Sequence, residues 1–153
     1  MKRFRFSLAP LLKVRELGER LAEGRLLAAR RAVAACLERL APLRQSLAEL
    51  GQRLEEAQAT GQPLADWPAS FEQSSRLEAA IRAAEADLAK AEAGLRQAQA
   101  EWEQAARQVE VLETLRREQF GLHRLERQRQ EQQRLDEAGL RQWSQAPRDE
   151  EAR

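Results

Sequence analysis

Apolar residues recur along this chain in alternating steps of four and three. One line reads Ala22, Leu26, Ala29, Val33, Cys36, Leu40, Leu43, Leu47, Leu50, Leu54 and Ala57. A second reads Leu77, Ile81, Ala84, Leu88, Ala91, Leu95, Ala98, Trp102, Ala105, Val109 and Leu112. Such steps keep one face of an α-helix turned continuously towards a partner, which is the seam of a left-handed coiled coil.

The spacing predicts two long helices. The first opens at Ser7, a good N-cap, with Pro10 in its first turn, and covers about residues 7–58. Its earliest apolar positions, Leu11, Val14, Leu17 and Leu21, begin a stripe one residue out of register with the line from Ala22. Pro42 removes one backbone hydrogen bond, but the seam is in phase on both sides of it. It therefore predicts a kink near Arg39 or Leu40 and not a boundary. The stretch "ATGQPLADWPAS", residues 59–70, holds Gly61, Pro63 and Pro68 and is the one break with turn chemistry. Ser70 and Gln73 have capping-box spacing, so the second helix is expected over about 71–143 and a frayed tail over 144–153.

A single helix cannot cover its own apolar stripe. Two of them, joined by about a dozen turn-forming residues, fold back on each other. The fold class is all-α: one coiled-coil domain over 1–153, an antiparallel two-helix hairpin whose longer second helix overhangs. At 1.5 Å per residue the helices are roughly 75 and 110 Å long, so the first runs out opposite about residue 120. The second seam fails close to that point. Its next positions are Arg116, Gln119 and His123, with a shifted trace in Leu115, Leu122 and Leu125, and beyond these only Leu135, Leu140 and Trp143 are large and apolar. The overhang is either solvated or made for another protein. Trp143 there is an interface anchor or part of a frayed end.

Composition agrees with long helices. A third of the 153 residues are charged, aromatics are 5%, and Tyr is absent. The net charge is +1, unevenly placed: residues 1–33 carry net +6, 34–113 carry −6, 114–134 carry +3 and 135–153 carry −2. In an antiparallel hairpin the two basic segments meet at the end away from the turn, where they steer an acidic partner. The first fifteen residues combine Phe4, Phe6, Leu8, Leu11 and Leu12 with Lys and Arg. They either lie on a membrane surface or dock on Leu115, Phe120 and Leu122, and docking is the expectation.

Candidate chemistry is sparse. Cys36 sits on the seam as a small hydrophobe and His123 is the only histidine, so neither a Cys/His pair nor a metal cluster is suggested. No Gly-rich phosphate loop occurs, and neither catalytic residues nor a cofactor site are expected. Arginines interleaved with Glu and Gln, without an aromatic platform, argue against nucleic acid. No apolar run reaches membrane-spanning length. The short basic-apolar start is a poor signal peptide, which makes the cytoplasm the expected location.

Four stretches resemble a known family: "FRFSLAPLLKVRE", "RLEAAIRAAEADL", "EWEQAARQVEVLETLRREQ" and "RQEQQRLDEAG". In this order they are similar to the flagellar type III export protein family FliJ, and the similarity covers nearly the whole chain. The nearest rival is the equivalent stalk protein of virulence-type type III secretion systems. Another is a structural coiled-coil adaptor that dimerises through its overhang. The resemblance implies a non-enzymatic stalk, peripheral at the cytoplasmic face of the inner membrane and resembling the central stalk of rotary ATPases. Such a stalk inserts its paired helix ends into the hexameric export ATPase, promotes its assembly and activity, and links it to the membrane export gate. Export chaperones are further possible partners. On this resemblance the ring contacts are Arg3, Arg5, Lys13, Arg116, Arg117, Arg124, Arg127 and Arg129. An ungapped match puts the gate-contacting strip on Leu77, Ala80 and Ala84.

Overall fold

The computed structural model describes residues 3–63 and 67–145. Within them the chain forms two helices, α1 (Ala9–Thr60) and α2 (Trp67–Gln145), and no strand. They make an antiparallel coiled-coil hairpin. Of the expected tail over 144–153, Ser144 and Gln145 are still helical and residues 146–153 fall outside the described residues, as do residues 64–66 of the expected linker.

α1 begins at Ala9 rather than Ser7. The Leu12 amide donates to the Leu8 carbonyl at 2.9 Å, so Leu8 takes the capping position, and a tight turn precedes it, with Ala9 N donating to Phe6 O at 3.2 Å. The helix then runs through Pro42 without interruption. Its far end is closed by a Schellman motif. Gly61 stands at φ 67°, the Gln62 amide donates to the Ala57 carbonyl at 3.1 Å, and the Gly61 amide to the Gln58 carbonyl at 3.4 Å. α2 opens at Trp67, ahead of the expected Ser70 cap. Pro68 explains the early start: its fixed φ suits the first turn, where its missing N–H has no bond to lose.

The chain divides into two compact units, Glu16–Ala106 and a second made of its first fifteen residues with everything from Arg107 onward. In the Glu16–Ala106 unit, Ala22, Leu26, Cys36, Leu40, Leu50 and Ala98 are buried. The other seam positions of both helices there are half-buried. Three ion pairs cross between the helices: Arg25–Glu101 at 3.5 Å, Arg39–Asp87 at 3.8 Å and Arg44–Glu85 at 2.8 Å. As numbers rise along α1 they fall along α2, which fixes the antiparallel register. In the other unit Phe6, Leu12 and Val109 form the core, with Phe4, Leu8, Ala9, Leu112 and Leu115 packed around it. Arg15 donates to the Gln108 side chain across the pair at 3.0 Å.

One expected stripe is inverted. Leu11, Val14, Leu17 and Leu21 face solvent, while Phe6 and Leu12 are buried and Glu16 and Glu19 half-buried. The reason is phase. Stepping back from Ala22 by three and four leads through Glu19 and Glu16 to Leu12, so the seam continues without a register shift. A glutamate tolerates such a margin because its methylenes lie along the seam while its carboxylate reaches water.

Candidate partner-binding surface

The surface is built where the N-terminal strap meets α2. Phe4 places its ring edge-on to Phe120, with centroids 5.3 Å apart, and tilted against His123 at 5.6 Å. The edge-to-face geometry sets the positive rim of one ring against the negative face of the other. Phe6, two residues along the extended strap, goes into the core, so Phe4 is held at its margin.

Phe4 borders two open clefts. One, of about 770 Å³, is lined by Arg3, Arg5, Gln119, Leu122, His123 and Glu126 beside it. The other, of about 520 Å³, is lined by Glu113, Arg116, Arg117 and Phe120. The structure thus brings together four of the eight expected basic residues, Arg3, Arg5, Arg116 and Arg117. Arg117 is steadied on its own helix, donating to the Glu113 carbonyl at 3.4 Å and to the Thr114 hydroxyl at 3.3 Å. Lys13, Arg124, Arg127 and Arg129 are exposed and line neither cleft. Arg127 approaches Glu131 on the next turn at 4.0 Å.

The docking expected on Leu115, Phe120 and Leu122 is made at the first two. Leu115 packs on the core, Phe120 meets Phe4, and Leu122 is 68% exposed. The shifted trace through Leu122 and Leu125 does not carry the seam. The original register does, since Gln119 and His123 are half-buried while Leu125 is exposed. His123, the only histidine, is a ring contact of Phe4. The signal was in the sequence: continuing the steps past Leu112 leads to Gln119 and His123.

Beyond His123, every residue from Arg124 to Gln145 is exposed. Pairs one turn apart run along this stretch: Arg127–Glu131, Gln132–Asp136 at 3.0 Å, and Arg141–Glu137 at 3.8 Å. Each adds a few tenths of a kcal/mol to an isolated helix, about 0.2–0.5 kcal/mol. Trp143 is 80% exposed. In the Glu16–Ala106 unit, Leu77, Ala80 and Ala84 are half-buried.

Among the described residues no three His, Cys, Asp or Glu side chains converge as metal ligands, and no helix is long and apolar enough to cross a membrane. What this surface offers is guanidinium groups and apolar contact area. Paired helices, a basic aromatic junction and a bare helical extension make this a coiled-coil hairpin protein. A family model described as the flagellar FliJ protein matches residues 4–148. The chain belongs to the FliJ family and is a component of flagellar protein export, a family of structural, chaperone-like parts that interact with the export apparatus. Neither the curated proteins nor the solved structures contain a match.

Proposed function

We propose that this chain is the stalk of the flagellar export ATPase. It binds the hexameric ring through its basic junction and bare α2 extension, promotes ring assembly and hydrolysis, and links the ring to the export gate. The observation that carries this reading is the exposure of every residue from Arg124 to Gln145. A helix of that length with no partner of its own gains little from helix propensity alone, and a binding partner supplies the missing packing. The proposed ring contacts are Arg3, Arg5, Lys13, Arg116, Arg117, Arg124, Arg127 and Arg129, matched to acidic loops of the ring. Leu77, Ala80 and Ala84 are the proposed gate strip, their half-exposed side leaving part of each side chain free. Export chaperones are further partners. The chain itself performs no catalysis and works in the cytoplasm, at the inner face of the membrane.

The test is hydrolysis by the cognate export ATPase, titrated with the native chain and with Arg124→Glu/Arg127→Glu. The native chain is expected to stimulate, and the reversed pair to require roughly tenfold more protein for the same effect, as the loss of close charge contacts implies. Absence of both stimulation and binding by the native chain would sink the stalk reading.

A further inference from the structure

Charge alone does not account for the junction around Phe4. Phe120 is 52% exposed, Leu122 68%. Arg3 and Arg5 crowd one side of Phe4, and Arg116 and Arg117 the other. Among the described residues none of the four makes an ion pair. Two carboxylates, Glu113 and Glu126, face them, so each cleft keeps a net positive charge. In each cleft an exposed apolar side chain lies beside two guanidiniums that no carboxylate pairs, Leu122 with Arg3 and Arg5 and Phe120 with Arg116 and Arg117, which is the make-up of an interface anchor site: apolar area flanked by charge.

We propose that the two clefts beside Phe4 bind an acidic segment of a partner protein. Two neighbouring apolar side chains of that segment seat on either side of Phe4, one against Leu122 and the other against Phe120, and its flanking carboxylates engage Arg3 and Arg5 in the first cleft and Arg116 and Arg117 in the second. Paired donors on a guanidinium match a carboxylate bidentately, which favours Asp or Glu beside the anchor. A second copy of this junction is disfavoured, because like charges would face each other. A flat lipid surface is disfavoured because the apolar groups line clefts and do not form one face. The ring as the particular partner rests on the stalk reading; the chemistry of the clefts does not.

The probe is a synthetic peptide with a central Leu-Phe pair and two Asp on each side, titrated into the full chain while the ring signals of Phe4, Phe120 and His123 are followed by NMR. Those signals are expected to shift. Replacing Leu-Phe by Ser-Ser, or every Asp by Asn, should each weaken binding by roughly tenfold, the scale of one lost anchor. Leu122→Asp should do the same with an unchanged melting temperature, because that side chain packs in no core. Equal binding of the Ser-Ser peptide overturns the anchor, as does a lack of any shift. So does binding of phosphatidylglycerol vesicles where the peptide does not bind. Peptide binding without ATPase stimulation would remove the ring as partner and leave the clefts standing. Stimulation that Arg124→Glu/Arg127→Glu weakens and Leu122→Asp leaves intact would keep the stalk and remove the ring as the occupant of these clefts.

Discussion

Leu40 and Leu140 are the same side chain on the same kind of helix, yet one is 1% exposed and the other 66%. Leu40 sits where α1 has α2 alongside; Leu140 sits where α2 has nothing. Helical propensity is similar in both places, so it cannot be what distinguishes them. Between Glu16 and Ala106, tertiary burial holds the helices. From Arg124 to Gln145 the helix rests on local terms alone: propensity and pairs such as Gln132–Asp136. The two stretches therefore respond to mutation by different rules.

The sharpest break is the leucine pair itself. Leu40→Ala leaves a cavity in the seam and should cost about 3 kcal/mol, read as a lower denaturant midpoint. Leu140→Ala should change that midpoint by less than about 0.5 kcal/mol. Comparable losses at both sites would mean the extension is packed after all. Next comes the turn. Gly61→Ala forces a side chain into a left-handed backbone conformation and should destabilise by about 1 kcal/mol or slightly more, measured by thermal unfolding. Smallest is a matched glycine pair. A Cβ added at Gly24 or at Gly139 meets nothing within 4 Å, so neither glycine is required by close packing. Gly24→Ala should raise the unfolding midpoint by roughly 0.5–1 kcal/mol. Gly139→Ala should leave it unmoved while increasing helical circular dichroism. A rise in the midpoint for both would place Gly139 inside the cooperative unit.

The seam from Ala22 to Ala57 and from Leu77 to Leu112 was legible because burial repeats at the helical period and nothing competes with it. The stripe at Leu11, Val14, Leu17 and Leu21 misled for a physical reason. Four exposed apolar residues at helical spacing look like a core face, and the true seam there passes through Glu16 and Glu19. Phase carried from Ala22 decides correctly; hydrophobicity read locally does not. The start of α2 was missed because Ser70 offers good cap chemistry, while Pro68 gains more from the first turn. At the junction, the charge distribution pointed to the basic segments 1–33 and 114–134, whereas the individual arginines were named from the family resemblance, and four of them line the clefts. The seating of Phe4 between Phe120 and His123 was not legible, because it depends on how the strap before α1 crosses α2, which no period encodes.

The three ion pairs between the helices all run the same way, with arginine on α1 and carboxylate on α2. On the ribosome α1 emerges complete before most of α2 exists. Its apolar line is then bare, and neighbouring nascent copies offer identical lines. Two α1 segments meeting side by side would lack Glu101, Asp87 and Glu85, the carboxylates that pair with Arg25, Arg39 and Arg44. The one-way pairing therefore matches α1 to α2 and not to a second copy of itself.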